Sequence, residues 1–367
     1  MEKGKEKELS ARMLGEIRRL AAGRQRPMRL MEVCGTHTVS IFRAGLRQLL
    51  PPEIELVSGP GCPVCVTPDT YMDAAIACAG MEDVIVATFG DMLKVPGSSS
   101  SLSEARARGG DVRVVYSPLD ALAIARDNPG KKIVFLAVGF ETTAPTAAAA
   151  VLAAERGGVG NFFLLSAQKL VPPAIRALLA DEEARIDGFL LPGHVAVVTG
   201  SEAFSFLASE YHLPGVVAGF SPTELLRALC LLVGQVAAGE ARVENAYRSV
   251  VRPGGNPEAR AAVERVYETT AAAWRGLGVI PDSGLRLREP FRRFDFSLLR
   301  PLRPAAPPPK RSACRCGDVL QGKILPKACP LFGKACVPER AAGPCMVSAE
   351  GVCAAWYRYG EGSFRYE

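Results

Sequence analysis

The chain has 367 residues, 48 % hydrophobic and 22 % charged, with 44 basic against 38 acidic side chains and a net charge of +6. This is the balance of an ordinary soluble protein of two or three domains, long enough to bury real cores. Its longest apolar runs, such as residues 133–138, are too short to span a bilayer, which argues against a membrane partner.

The basic excess lies in residues 1–30 and 281–315, and the remainder is net acidic. These basic stretches match no nucleic-acid-binding module and lack aromatic interleaving, so they read as solvated surface charge, with no nucleic-acid partner. The N-terminus, Met1-Glu2-Lys3-Gly4-Lys5-Glu6, lacks the apolar core of a signal peptide, and the chain reads as cytoplasmic. In a reducing compartment its 11 cysteines are more often ligands or redox groups than staples, and an odd number cannot all pair within one chain.

In chain order, residues 8–22 carry Leu9, Met13, Leu14, Ile17 and Leu20 near helical spacing. Residues 29–33 predict a strand, followed by Cys34-Gly35-Thr36-His37 and a helix to about Leu50. A second strand at 54–58 runs into Gly59-Pro60-Gly61-Cys62-Pro63-Val64-Cys65, and Thr67-Pro68-Asp69 starts a helix. Further strands are predicted at 84–88, 112–116, 133–138, 162–166, 188–191 and 216–218. Ser221-Pro222-Thr223-Glu224 is a capping box with proline at the first helical position. Strands alternating with helices predict an α/β fold with mostly parallel sheets. A strand, a glycine, an acid and a later proline recur at Val84–Pro96 and Phe135–Pro145, which reads as two similar α/β halves joined near residues 117–131. After about residue 280 the texture changes. Pro301, Pro304 and Pro307-Pro308-Pro309 read as an extended linker, and six cysteines follow in an irregular segment that needs a staple.

Those six are Cys314, Cys316, Cys329, Cys336, Cys345 and Cys353, and they contain one tight pair. Zinc sites usually show two tight pairs, so the spacing suits an iron–sulfur cluster better, with one zinc ion or three disulfides as the alternatives. Cys62 and Cys65 form a Cys-x-x-Cys pair at a strand end, able to hold a soft metal or to make and break a disulfide. Cys34 sits where a strand meets a helix, a position expected to favour the thiolate, with His37 as a possible proton partner or a plain core histidine. If the two strands are neighbours, the three thiols share one cleft suited to soft Fe(II). Glu141 and His194 stand at further strand ends, where open α/β sheets place ligands. Cys78 and Cys230 lie in apolar helical contexts and read as inert. No phosphate-binding glycine motif follows any strand.

Together, Cys34-Gly35-Thr36-His37-Thr38, Gly59 through Thr67, Gly139-Phe140-Glu141-Thr142-Thr143-Ala144-Pro145, Pro192-Gly193-His194-Val195, and Gly343-Pro344-Cys345-Met346-Val347-Ser348 through Cys353 resemble the HypD family of hydrogenase maturation factors across nearly the whole chain. The resemblance implies two α/β domains, here 28–117 and 118–250, and a helical, cysteine-rich domain from 1–27 and 251–367 with a [4Fe-4S] cluster. It implies assembly of the Fe(CN)2CO fragment of [NiFe]-hydrogenases with a HypC-type chaperone and a HypE-type cyanide donor. Carried onto this chain, Cys34 is the expected iron ligand, beside the Cys62–Cys65 pair, with His37 and Glu141 lining the cleft. Cys314, Cys329 and Cys336 are the expected cluster ligands, with either Cys345 or Cys353 as the fourth and Cys316 paired with the one left over. The alternatives are a stand-alone iron–sulfur thiol–disulfide oxidoreductase and a zinc-stapled binding module.

Overall fold

The computed structural model describes residues 2–181, 183, 185–300, 302 and 313–360. The run from Pro304 to Pro309, read above as a linker, lies outside the described residues, as does Pro301.

Two parallel sheets dominate. The first has the order β2-β1-β7-β8-β9, from β1 (Met28–Glu32), β2 (Ile54–Ser58), β7 (Gly188–Pro192), β8 (Gly215–Ala218) and β9 (Val243–Asn245). The second has the order β4-β3-β5-β6, from β3 (Val84–Thr88), β4 (Val112–Val114), β5 (Lys132–Gly139) and β6 (Phe162–Gln168). Both are covered by helices, so central strands such as β3 are buried along their length. The fold is α/β, with a cysteine-rich region completing it. Among the described residues no helix is long and apolar enough to cross a membrane.

The strand pairing does not follow the division expected at residues 117 and 118. β1 and β2 join β7, β8 and β9 across more than a hundred residues, and β3 to β6 form a separate sheet inserted between them. The repeated strand–glycine–acid pattern falls on β3 and β5, which are neighbours within this one sheet (Val84 opposite Lys132). Apolar runs of similar composition suit either sheet, and long-range pairing decides which they join.

The first helix, Glu2–Ala21, begins earlier than its apolar spacing indicated. Instead of joining the cysteine-rich tail, it buries Met13, Ile17 and Ala21 with Leu229 and Val233 of the helix Pro222–Ala238. Ser221 caps the latter helix in the expected box with Glu224. After the helix Pro257–Val266 comes an antiparallel hairpin absent from the sequence reading, β10 (Tyr267–Trp274) and β11 (Gly278–Leu287). The tail consists of short turns and the helix Val352–Tyr359. Among the described residues it builds no core of its own. Cys316, Leu320, Cys345, Met346 and Cys353 join Met31, Val57, Cys62, Cys65 and Phe189 in one shared cluster.

Ile17 is fully buried in the contact between the two helices. Replacing it with alanine should cost about 2–5 kcal/mol, read as a lower guanidinium midpoint, whereas Arg12→Ala on the exposed face should leave the midpoint nearly unchanged.

Candidate functional site

The site starts from the register of β1 on β2. The strands are parallel neighbours, so the segments leaving their carboxyl ends emerge side by side. Beyond β1, Cys34 stands at the N-cap of the helix Gly35–Arg43. Beyond β2, the glycine-rich loop carries Cys62 and Cys65. The segments are stitched by the Gly35 N–H, which donates to the Gly61 carbonyl at 2.9 Å. A Cβ on Gly61 would lie 2.2 Å from the Cys34 nitrogen, so this approach needs glycine. The neighbouring-strand condition set by the sequence is met.

The three thiols nevertheless face different ways. Cys34 lines a cavity of about 480 Å³ with Thr36, Pro63, Phe140, Thr142, His194 and Glu350. Cys62 and Cys65 are buried and absent from the cavity wall, their sulfurs 2.6 Å apart. Among the described residues, no three His, Cys, Asp or Glu side chains are arranged to hold a single metal ion.

Burial sets the protonation states. It pushes the Cys34 thiol up to about 11, with the Glu350 carboxylate adding to the rise, against hydrogen bonds from the His37 and Thr36 backbone. The expected thiolate at the helix start is therefore overridden by desolvation. The His37 ring is buried too. Its Nε2 lies 3.1 Å from the Gly219 carbonyl, its ring packs on Phe220, and its Nδ1 has no partner among the described residues. Burial lowers it to about 4, so it is neutral near pH 7, and it is the His37 backbone that bonds the Cys34 sulfur. His194 does line the cavity, stacked on Phe220 with centroids 3.8 Å apart.

Glu141 is also buried behind the wall, while Phe140, Thr142 and Thr143 line the cavity. Its Oε1 accepts from the Val171 N–H at 2.8 Å, at the start of the helix Val171–Leu179. Its Oε2 has no partner among the described residues, and burial raises the carboxyl to about 7.

Glu350 was not singled out in the sequence. It accepts from the Thr36 hydroxyl at 2.5 Å, and a Cβ on Gly35 would lie 2.5 Å from the Glu350 carbonyl oxygen. Its signal would have been its place between Cys345 and Cys353, in a segment read as a separate domain.

The tail thiols adjoin the Cys-x-x-Cys loop. The Cys345 sulfur lies within hydrogen-bonding reach of the Cys65, Cys316 and Cys353 sulfurs. Burial raises Cys65, but its bonds from Cys345 and Cys62 bring it down to about 6, while Cys62 is pushed up. Cys316 is held well below the ordinary thiol range by hydrogen bonds from Cys314 and Cys345 and by the Arg275 guanidinium. Cys329 lies within electrostatic reach of both Cys314 and Cys336, and Cys336 within reach of Cys353. The Cys336 sulfur accepts from the Ala342 N–H at 3.3 Å. Cys78 is buried among apolar side chains, and Cys230 is half-buried against them.

The raised Glu141 carboxyl fixes the sign of one pH effect. Between pH 4.5 and about 7 the folded chain binds more protons there than the unfolded chain, so this group's contribution to stability is lost as pH rises through that window. Glu141→Gln keeps an oxygen for the Val171 N–H and cannot ionise. Its stability relative to the native chain should therefore rise across the window, measured as the difference in denaturant midpoints at its two ends.

The HypD family model, described as "Hydrogenase formation hypA family", matches residues 8–360. The hydrogenase maturation factor HypD of Escherichia coli (strain K12) is 48 % identical over 337 residues, 91 % of this chain and 90 % of that protein. The HypD of Rhodobacter capsulatus is 47 % identical over 361 residues, 96 % of each chain. That of Azotobacter vinelandii is 46 % identical over 361 residues, 96 % of this chain and 94 % of its own. With its two parallel sheets, a cavity headed by Cys34 and this match from end to end, the chain belongs to the HypD family of hydrogenase maturation factors.

Proposed function

We propose that this chain, in the cytoplasm, assembles and carries the Fe(CN)2CO fragment as cargo, working with a HypC-type chaperone and a HypE-type cyanide donor. The observation that carries the reading is Cys34, a lone thiol on the wall of a cavity lined by segments from both sheets. Cyanide and carbon monoxide favour low-spin Fe(II), and a soft sulfur ligand suits that iron. The mostly apolar wall of Val33, Phe140, Pro192 and Val195 suits the small, non-hydrogen-bonding carbonyl ligand, and the His194 ring N–H is placed to donate to a cyanide nitrogen. Cys34 is protonated before iron arrives, so binding would release its proton.

The tail thiols fit an iron–sulfur cluster by their donor chemistry: an all-sulfur set spread wider than one ion could use. Their neighbourhood favours Cys314, Cys329, Cys336 and Cys353 as the holders. Cys316 and Cys345 bond each other, and Cys345 reaches Cys65. A bound cluster would supply single electrons beside that pair. Between the two pairs the chain's own sulfurs can exchange. With Cys62–Cys65 oxidised, Cys345 passes its proton to the Cys316 thiolate and attacks Cys65, and Cys62 leaves as a thiolate that takes up that proton. Cys316 then attacks Cys345 and frees Cys65, which leaves a Cys316–Cys345 disulfide and moves two electrons to the loop.

Cys34→Ala should abolish the infrared cyanide and carbonyl bands of the anaerobically purified complex with its chaperone while retaining the visible iron–sulfur absorption. Surviving bands would sink the assignment. Bands missing from the native chain too, together with turnover of thioredoxin-like disulfides, would favour a stand-alone oxidoreductase. For the ligand set, Cys353→Ala should bleach the visible absorption and Cys345→Ala should keep it, read by spectra and iron content. The reverse pattern would exchange their roles.

A further inference from the structure

The tip of the β10–β11 hairpin sits where the Cys-x-x-Cys loop meets the tail. Residues 274–278 close the hairpin with Gly276 and Gly278 in the left-handed region. Gly276 lies so close to Gly317 that a Cβ on it would stand 2.3 Å from the Gly317 Cα. The Gln321 side-chain amide donates to the Gly276 carbonyl at 2.5 Å. The tip is thus pinned to the turn that begins with Cys316.

Arg275 points from this tip in the other direction as well. Its backbone N–H donates to the Val66 carbonyl at 2.8 Å, one residue past Cys65. Its guanidinium pairs with Asp69, the first residue of the helix Asp69–Ala79 that follows the loop. The same guanidinium bonds the Cys316 sulfur and lies near Cys345. Its side chain is 14 % exposed. One largely covered arginine therefore reaches Cys316 through its guanidinium, and the segment just after Cys65 through its backbone N–H and its pairing with Asp69. A planar fork with several donors suits this task, since it can hold a carboxylate and a sulfur at once.

We infer that Arg275 is a positioning residue for electron transfer between the two dithiol pairs: it ties the Cys62–Cys65 loop to Cys316 and Cys345 so that the sulfurs of Cys65, Cys345 and Cys316 stay in exchange order. This rests on the exchange reading given above. Exchange needs the attacking sulfur in line with the disulfide, and its rate falls when access or alignment is lost. A positive charge beside the sulfurs also steadies the negative charge that passes along them.

The test uses the full chain purified anaerobically. A stoichiometric pulse of diamide is quenched at intervals with an alkylating reagent, and mass spectrometry counts Cys62–Cys65 and Cys316–Cys345 disulfides. In the native chain the two populations should relax to a fixed ratio at one rate. Arg275→Gln should slow that relaxation at least tenfold with the visible absorption and thermal midpoint retained, and Asp69→Asn should slow it in the same sense. Arg275→Lys should recover most of the rate. Relaxation at the native rate in Arg275→Gln, or a lysine variant as slow as glutamine, overturns the role of Arg275 and leaves the exchange standing. No relaxation in the native chain overturns the exchange and this inference with it.

Discussion

The side-by-side parallel pairing of β1 and β2 is the constraint on which the site depends. It brings the segment after Glu32 and the segment after Ser58 to one edge of the first sheet. A buried polar set fixes that edge. Ser58 donates to Glu32 Oε1 at 2.5 Å, and Arg47 pairs with the same carboxylate at 3.3 Å. Arg47 also lies over the rings of Phe42 and Trp356, 4.8 and 5.2 Å from their centroids. Glu32 is 1 % exposed, so losing its cation would strand a buried charge, which is costlier than never having the pair. A strand-end carboxylate thus binds the first sheet to the tail helix through one arginine.

With that frame rigid, burial outweighs the usual electrostatic rules. A cysteine at a helix start and a histidine three residues later suggest an activated thiolate–imidazolium pair. Both are instead neutral near pH 7, because each is largely buried and no opposite charge stands beside it. On the proposed reading this suits cargo handling. With Cys34 protonated, the cavity offers ordinary cations and electrophiles no thiolate, whereas a soft iron fragment can displace the thiol proton. The charged thiol character lies deeper, at Cys65 and Cys316, where sulfur–sulfur hydrogen bonds and Arg275 hold thiolates away from the cavity.

What was legible in the sequence was local. Periodicity gave the strands and most helices, the capping box at Ser221 gave a helix start, and strand-end cysteines gave the site's address. Sheet membership was not legible, because β2 and β3 are alike in length and apolar content yet belong to different sheets. The hairpin β10–β11 escaped because its alternation is carried by alanine and threonine with few large apolar residues. Side-chain direction escaped as well. His37 and Glu141 stand at the expected loops, but each turns inward to satisfy a backbone group, a Gly219 carbonyl and a Val171 N–H, where a cavity-facing role was expected. Glu350 and Arg275 were missed for one reason: each acts on residues hundreds of positions away, or on a surface that exists only after the tail has docked.

That docking makes the tail part of the site. Among the described residues it has no core apart from the cluster it shares with the first sheet, and its backbone approaches leave room for glycine alone at Gly35 and Gly351, the latter against Cys345. Glu350 stands between Cys345 and Cys353, and its carboxylate holds the hydroxyl of Thr36, two residues past Cys34. The tail thiols and the cavity wall are thus parts of one packed unit, joined through the Glu350–Thr36 hydrogen bond.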